Sequence, residues 1–321
     1  MGRAVNLVVS CSNRKRYETA PGLAASELDG SDMRKRLRTW KERLRTAQAK
    51  EYPAENLYMG EHWSVARNIP QDAKDSGWNV RLWICSAGYG LIQPGTRIKP
   101  YQAAFSSNAK DYVARGSVSH AAIQSWWTGA CSYVFPREAN FPRSLSALAQ
   151  AFPRTPLIVA LSADYLNAVS DDLLGVLECN FFKQYLSIIS CGTRGEHHPW
   201  SDNLLPCDGR LSASLGVTLT SLNARVARFL FGFEADAEPS IHHMAALLSS
   251  IEVRTKAPVT RAQQTDIEVV RFIQARLKKT PLASKTRLLE EFRAAGKACE
   301  QKRFGELYVQ LRQEAQPELY G

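Results

Sequence analysis

The sequence predicts an α/β fold in which helices cover a largely parallel sheet, and three observations support this prediction. Short apolar runs alternate with segments of helical periodicity, as in parallel strands joined by helical crossovers. Each run ends in a polar or small-residue loop, and 45% of the residues are hydrophobic, which is enough for a sizeable core. The predicted strands are Val5–Val9, Leu82–Cys85, Pro156–Leu161 and Phe182–Ser190.

Helical patterns separate these strands. In residues 31–50 the apolar residues Met33, Leu37, Trp40 and Leu44 fall four, three and four positions apart, which is the spacing of one helix face. Ala103–Asp111 is predicted to be extended. Further helices are predicted at Glu61–Arg67 with Trp63 inward, at Val113–Thr128, at Ser144–Phe152, from after Tyr165 to about Leu177, and at Ser221–Phe231.

The length of 321 residues suggests two domains at about 150 residues each. We predict an α/β body at residues 1–251, with a basic helical insertion at 31–50, and a C-terminal helical module at 252–321. The body would carry the chemistry. The module would bind DNA.

The C-terminal module is predicted from three helical patterns. Thr265 and Glu268 match a capping box in front of the first helix, the second spans Ser284–Ala295, and the third spans Cys299–Gln313. Gly296 separates the last two, which is the outline of a helix-turn-helix. A plain three-helix packing module remains the alternative.

Composition limits the classes of function. No apolar run approaches the roughly 20 residues of a membrane span, so we expect a soluble, cytoplasmic protein without a membrane partner. Seven scattered cysteines without a C-x-x-C motif favour reduced thiols over disulfides or zinc. No metal site is predicted, because the adjacent histidine pairs, 197–198 and 242–243, would point to opposite faces of a strand.

The net charge of +10 is concentrated in two segments. Residues 31–50 hold eight Lys/Arg against two acids, and residues 252–321 hold fourteen against nine. A near-neutral body with two basic segments is typical of a protein that binds the phosphate backbone of double-stranded DNA, although solvated helix surface is the alternative. The predicted backbone contacts are Arg34, Arg36, Arg38, Lys41, Arg43, Arg194, Lys302 and Arg303.

Polar and aromatic residues gather where the predicted strands end. Val80–Tyr101 contains a strand followed by the glycine-rich turn at 86–90, which is either a ligand-binding loop or an ordinary tight turn. Aromatic rings beside amides and hydroxyls suit the binding of a planar base. The predicted base-binding residues are Cys11, Ser12, Asn13, Lys15, Trp63, Ser86, Tyr89, Tyr101, Phe105 and Tyr165.

Carboxylates near these loops suggest cleavage of an N-glycosidic bond. A carboxylate stabilises the oxocarbenium-like transition state or positions a water molecule. We predict Asp164, Asp111 and Asp208 as catalytic candidates, with Asp202 as a further possibility, and helix capping as the alternative role for each. The nucleotide-binding, zinc-protease and serine-hydrolase signatures are absent from the sequence.

Four ordered motifs resemble the YaaA-like superfamily. They are the stretches 8–15 (VVSCSNRK), 57–60 (LYMG), 84–92 (ICSAGYGLI) and 98–101 (IKPY). That superfamily includes peroxide-stress DNA-binding proteins and is similar to domains found with archaeosine synthases and tRNA-guanine transglycosylases. The insertion at 31–50 departs from its compact pattern.

Within this superfamily the chain looks like anti-phage DNA glycosylases that excise glucosylated hydroxymethylcytosine. This narrower resemblance implies base excision that leaves an abasic site, without a metal or nucleotide cofactor. Two alternatives stay open. One is a non-enzymatic DNA-binding protein of the stress-protection kind, and the other is a tRNA-modifying, transglycosylase-like enzyme.

Overall fold

A computed structural model describes residues 2–116, 119–135, 141–191, 193, 198–216, 218–235, 239–251 and 261–315. The chain divides into two compact units, Met1–Arg254 and Thr255–Gly321. In the described residues, no helix combines the length and the apolar character that crossing a membrane would require.

The first unit is built on a five-stranded sheet. The strands of the chain are β1 (Arg3–Ser10), β2 (Tyr52–Pro53), β3 (Trp78–Ser86), β4 (Gly90–Ile92), β5 (Arg97–Ile98), β6 (Leu157–Ala160), β7 (Leu186–Ile189), β8 (Ala262–Gln263) and β9 (Lys297–Ala298). The main sheet has the order β4-β3-β1-β6-β7, in which only the β3–β4 pair is antiparallel. The predicted α/β fold with a largely parallel sheet is confirmed.

Helices connect and cover the strands. The helices are α1 (Met33–Thr46), α2 (Ala54–Leu57), α3 (Glu61–Ala66), α4 (Ile69–Asp72), α5 (His120–Cys131), α6 (Leu145–Ala151), α7 (Ala163–Ala168), α8 (Ser170–Leu177), α9 (Asn180–Tyr185), α10 (Arg210–Ser214), α11 (Leu222–Leu230), α12 (Ile241–Ser249), α13 (Asp266–Lys279), α14 (Lys285–Ala294) and α15 (Gln301–Ala315). The central strand β1 is buried over its last six residues, which explains its continuous apolar sequence.

The fourth predicted strand is partly wrong. Only Leu186–Ile189 is extended, because residues 180–185 form α9. Phe181 and Tyr185 are four residues apart, so in a helix their rings lie on one face, and they stack at 4.3 Å between centroids. The segment 180–189 is therefore helical in its aromatic-rich first part and extended in its second part.

Three further boundaries differ from the prediction. The single helix expected after Tyr165 is instead the pair α7 and α8, which meet at Val169. The helix expected from Val113 begins at His120. Ala103–Asp111 is predicted to be extended but consists mainly of turns. Its one backbone bridge joins Ala104 to Tyr112, and no neighbouring strand pairs with the segment along its length.

Helix α1 confirms the predicted helical stripe in the basic insertion. Asp32 caps its N-terminus, and Trp40 and Leu44 are buried. The Trp40 indole donates a hydrogen bond to the Gly88 carbonyl oxygen at 2.8 Å. The basic insertion therefore packs onto the glycine-rich turn that follows β3.

Arg36 lies on the buried face of α1, so its predicted contact with a DNA backbone is wrong. Its guanidinium donates to the carbonyl oxygens of Ala25, Leu28, Gly30 and Val113. Only 1% of the residue is exposed. These carbonyls lie in the 3-10 turn Ala25–Glu27 and in the loops around α1, and the arginine donates a hydrogen bond to each.

The second unit is a three-helix module. Its core contains Val269, Ile273, Leu289, Phe292 and Phe304, and the predicted capping box at the start of α13 is present. The connection from α14 to α15 contains Gly296 at φ 74° and strand β9, which pairs in parallel with β8. It is longer than the turn of about three or four residues in a helix-turn-helix.

A disulfide corrects the expectation of reduced thiols. Cys191 and Cys207 are bonded, with their Cα atoms 4.8 Å apart. The chain returns to β7 after residue 200, where the Leu205 amide donates to the Ile188 carbonyl oxygen at 2.8 Å. This return brings together two cysteines that are 16 residues apart, and no local motif marks the pair. Cys11, Cys85, Cys131, Cys179 and Cys299 are free thiols.

Candidate functional site

The carboxyl ends of β1, β3 and β6 meet at one edge of the sheet. Ser10 is in register with Cys85, and Val9 is in register with Ala160. The loops that follow therefore start side by side, as expected where parallel strands end. We call this region the carboxyl edge.

The floor of the carboxyl edge is a network of hydroxyl groups and one thiol. The Tyr101 hydroxyl lies 2.7 Å from Ser86 Oγ and 3.0 Å from the Tyr58 hydroxyl, and it donates to Cys11 Sγ at 3.6 Å. Cys11 Sγ lies 3.1 Å from the Tyr165 hydroxyl. We call Cys11, Tyr58, Ser86, Tyr101 and Tyr165 the hydroxyl network.

Burial keeps the three tyrosines of this network uncharged. Desolvation raises the pKa of Tyr58, Tyr101 and Tyr165 well above the usual value, and the proximity of Cys11 raises each further. Ser86 and Tyr101 are fully buried, whereas Tyr165 is half-buried. The network therefore offers neutral hydroxyl donors and acceptors, and Tyr165 is the least buried of its three tyrosines.

Lys15 lies above the network. Its amine is 4.4 Å from the centroid of the Tyr101 ring and 5.9 Å from that of Tyr58, and it contacts the Asn13 carbonyl oxygen at 3.5 Å. Burial lowers the pKa of Lys15, and the nearby Cys11 and Asp111 partly oppose that shift. No carboxylate oxygen of the described residues lies within 4.0 Å of the Lys15 amine, so Lys15 forms no ion pair with them.

Two of the predicted catalytic carboxylates lie at the carboxyl edge. Asp111 Oδ1 accepts hydrogen bonds from the Ser26 amide at 3.2 Å and the Ser26 hydroxyl at 2.6 Å. Asp164 is half-buried in the first turn of α7, directly after β6. Asp164 lies near the Tyr112 hydroxyl: burial raises the pKa of Tyr112, and the charge of Asp164 raises it further. Asp111 is thus fixed by Ser26, while Asp164 has no hydrogen-bond partner in the described part of the chain.

His62 is a member of the site that the sequence did not indicate. Its Nε2 lies 3.0 Å from the Ser10 carbonyl oxygen and 3.2 Å from Ser10 Oγ. Burial lowers the pKa of His62, and the hydrogen bond to the Ser10 backbone opposes this shift. The one sequence signal for His62 is the predicted helix at 61–67. That helix turns Trp63 inward, so the adjacent His62 is expected to lie near the body.

Besides Tyr101, three more residues predicted to stack on a base are buried in the body. The Trp63 indole donates to the Glu55 carbonyl oxygen at 3.0 Å, Phe105 packs edge-on against Tyr165 at 5.0 Å, and the Tyr89 hydroxyl contacts the backbone of Lys99. Their exposed fractions are 2% or less. These residues support the hydroxyl network from behind, and the expectation that they stack on a base is wrong for this conformation.

The rim of the carboxyl edge retains polar groups that a ligand can reach. Asn13 is exposed. Ser12 Oγ donates to the Arg14 carbonyl oxygen at 2.7 Å and accepts from the Met59 amide at 3.1 Å. Ser12 therefore shapes the loop after β1, and Asn13, Lys15 and Tyr165 present polar atoms beside it.

Asp208 and Asp202 lie on other segments. Asp208 is half-buried and accepts hydrogen bonds from the Arg210 guanidinium and the Arg210 amide, and its pKa is lowered chiefly by the Arg210 side chain. These hydrogen bonds join residues two positions apart, and Gly209, not Asp208, is the N-cap residue of α10, so the catalytic role of Asp208 stays a prediction. Asp202 lies in a short 3-10 turn at Ser201–Asn203.

The predicted backbone contacts have different surroundings. Arg34 and Arg38 on α1 and Lys302 on α15 are exposed. Lys41 donates to Ser132 Oγ at 2.5 Å, Arg43 donates to the Gly22 carbonyl oxygen at 3.1 Å, and Arg303 is paired with Asp266. Arg194 lies outside the described residues. Exposed basic side chains thus remain on both units.

Comparison with known proteins adds no family to this geometry. Neither the protein-family models nor the curated proteins searched gave a match to the chain. The resemblance to the YaaA-like superfamily therefore stays a prediction from the motifs, and the functional argument rests on the carboxyl edge itself.

Proposed function

We propose that the chain is a cytoplasmic DNA glycosylase that excises a modified base, with glucosylated hydroxymethylcytosine as the first candidate. The observation that supports this proposal best is the grouping of Lys15, Asp111 and Asp164 around a neutral hydroxyl network. A flipped base needs polar groups for its edge, and the sugar needs a carboxylate as its glycosidic bond breaks.

The half-buried and exposed groups fit the recognition of a base edge. Asn13 offers both an amide donor and an acceptor, and Tyr165 offers a hydroxyl that already lies 3.1 Å from Cys11 Sγ. The Lys15 ammonium would donate to the base as the bond to the sugar breaks, so that the departing electron pair is stabilised. These three residues would therefore orient the base and assist its departure.

Asp164 is the better candidate for the carboxylate that acts on water. Asp111 already accepts two hydrogen bonds from Ser26, which fixes it and reduces its capacity to take up a proton. Asp164 has no such partner among the described residues, so both of its oxygens are free for a water molecule and the sugar. In the proposed reaction Asp164 stabilises the positive charge at C1′ and accepts a proton from the attacking water.

The exposed basic residues would hold the DNA. Arg34 and Arg38 project from α1, and their charges would contact phosphates without reading sequence. Phosphate contacts of this kind offset part of the cost of unstacking a base, which is a few kcal/mol. The partner in this proposal is therefore double-stranded DNA that carries the modified base.

The proposal predicts a released base from modified DNA. The purified protein is incubated with phage DNA that contains glucosylated hydroxymethylcytosine and with unmodified DNA, and the products are analysed by alkali treatment and mass spectrometry. Alkali-labile sites and a free modified base are expected only with the first DNA. Asp164→Asn should lower the excision rate by roughly 100-fold or more while DNA binding persists.

A matched variant separates the loss of a catalytic carboxylate from the loss of one negative charge. Asp202→Asn removes one carboxylate from a turn distant in sequence, and its excision rate should stay within about twofold of the parent rate. Bound but intact DNA in every sample would reject the glycosylase and favour a non-enzymatic DNA-binding protein, which the exposed arginines of α1 also suit. Uptake of a labelled free base into structured RNA would favour a transglycosylase instead.

A further inference from the structure

We propose that Lys15 forms a covalent imine with C1′ of an abasic deoxyribose, the product that the proposed excision would leave. The inference rests on the proposed function for its biological context. The reaction itself needs only abasic DNA, so it can be tested separately.

Accessibility selects Lys15 among the nucleophiles of the carboxyl edge. Cys11 is 5% exposed, and its sulfur is in contact with the hydroxyls of Tyr165 and Tyr101. Ser86 is fully buried, and its oxygen accepts from the Tyr89 amide at 3.2 Å. Lys15 is half-buried. Lys15 is therefore the least buried nucleophile of this group, and the contact of its amine with the Asn13 carbonyl oxygen is exposed.

The surroundings of the amine disfavour its charged form more than water does. The face of the Tyr101 ring, 4.4 Å away, attracts the ammonium form, but no carboxylate of the described residues forms an ion pair with the amine. Desolvation lowers the pKa of Lys15, which increases the neutral fraction near pH 7 relative to an exposed lysine. Lysines that form imines are commonly activated in this way.

The proposed step balances without an added oxidant or reductant. An abasic deoxyribose opens to an aldehyde at C1′. The lone pair of the Lys15 amine forms the N–C1′ bond while the carbonyl π electrons move to oxygen, which takes a proton and gives a carbinolamine. Loss of the nitrogen proton and of that hydroxyl as water then leaves the C1′=N bond. Water at the rim takes up the proton from the amine nitrogen and returns a proton to the departing hydroxyl.

Reductive trapping tests the imine. A duplex oligonucleotide with one preformed abasic site is incubated with the full chain and sodium cyanoborohydride, which reduces an imine to a stable amine. A protein–DNA adduct is expected on a denaturing gel. Lys15→Arg keeps the positive charge but cannot form the imine, so its adduct yield should fall at least tenfold.

Lys110→Arg is the matched control, because Lys110 is exposed and adjoins Asp111 in sequence. This variant should give the parent adduct yield. Proteolysis of the trapped parent protein, followed by mass spectrometry, should place the adduct on Lys15. This mapping needs no variant, so it identifies the lysine that forms the imine even where Lys15→Arg fails to fold.

The outcomes separate the imine from the proposed glycosylase. Absence of an adduct, an adduct mapped to another lysine, or an undiminished adduct in folded Lys15→Arg would each overturn the imine while leaving base excision untouched. An adduct on Lys15 in a protein that releases no base from any modified DNA would support the imine and reject the glycosylase. Excision with an adduct on Lys15 supports both.

Discussion

At the scale of single residues, the carboxyl edge contrasts neutral buried groups with accessible charged ones. The hydroxyls of Tyr58 and Tyr101 are buried and uncharged, while Lys15 and Asp164 are half-buried at the rim. A buried hydroxyl costs little when it is hydrogen-bonded, whereas a buried charge without a partner costs several kcal/mol. This difference explains why ionisable groups stay at the rim.

His62 should make the stability of the protein depend on pH. Its native pKa is lowered by burial, so the unfolded chain binds more protons than the native chain once the pH falls below about 6.5. The free energy of unfolding should therefore decrease as the pH falls from 6.5 towards the native pKa of His62. In His62→Gln this part of the decrease should vanish, as measured by urea unfolding between pH 7 and pH 5.

The control for His62 is the exposed His120. His120→Gln should follow the pH dependence of the parent protein. If His62→Gln also loses stability in parallel with the parent over this range, burial of His62 does not contribute to the pH dependence.

At the scale of elements, the turn between β3 and β4 organises the site. The Trp40 indole donates to the Gly88 carbonyl oxygen, and the Trp126 indole donates to the Ala87 carbonyl oxygen at 2.7 Å. A Cβ atom at Gly88 would lie 2.5 Å from the Tyr101 ring. Helices α1 and α5 therefore fix the turn, and the turn holds Tyr101 against Ser86.

Gly90 in this turn should be intolerant of a side chain. Its φ is 74°, and a Cβ atom would lie 2.7 Å from the backbone of Cys131 in α5. Gly90→Ala should lower the free energy of unfolding by about 3 kcal/mol, since the left-handed conformation and the overpacking each cost 1 kcal/mol or more. Denaturant unfolding measures this change.

Gly95 provides the comparison within the same loop region. A Cβ atom there has no neighbour within 4 Å, so Gly95→Ala should change stability by less than about 1 kcal/mol. Equal losses for the two variants would contradict a special requirement at Gly90.

At the scale of the whole molecule, the charge separates into a near-neutral part and two basic segments. Exposed basic residues are found on α1 in the first unit and on α14 and α15 in the second. Lys285 and Lys302 line a groove along α15 with a volume of about 860 Å³, together with Gln301, Gln310 and Gln313. Each unit therefore offers its own candidate contacts for a phosphate backbone.

The salt dependence of DNA binding should report these contacts. Arg34→Gln with Arg38→Gln should reduce the slope of log affinity against log salt by about 2, because each lost phosphate contact removes about 0.9. Lys285→Gln with Lys302→Gln should reduce it by a similar amount. Fluorescence anisotropy with duplex DNA between 50 and 300 mM salt, roughly the range over which such affinities change most, measures the slope.

A charge-matched control lies outside the basic segments. Lys74→Gln with Lys183→Gln removes the same net charge from exposed positions near α4 and in α9. This pair should leave the slope unchanged. A slope that falls equally in all three double variants would mean that net charge alone, and not a defined surface, attracts the DNA.

The sequence by itself determined the class of fold and predicted where the candidate site lies. Apolar runs predicted β1, β3 and β6 because strands buried on both faces are apolar throughout. The capping box at Thr265 predicted the start of α13 because its hydrogen bonds join residues three positions apart. Polar residues after the strands predicted the carboxyl edge, since parallel strands end together.

Only the tertiary structure decided which side chains meet at the candidate site. Arg36 and Arg38 are two positions apart on one helix, yet packing against distant loops buries the first and exposes the second. His62 contacts Ser10 across 52 residues, and Cys191 bonds Cys207 through the return of the chain to β7. Local patterns encode periodicity and hydrogen bonds between neighbours in sequence, whereas burial and partner choice depend on segments that meet only in the folded chain.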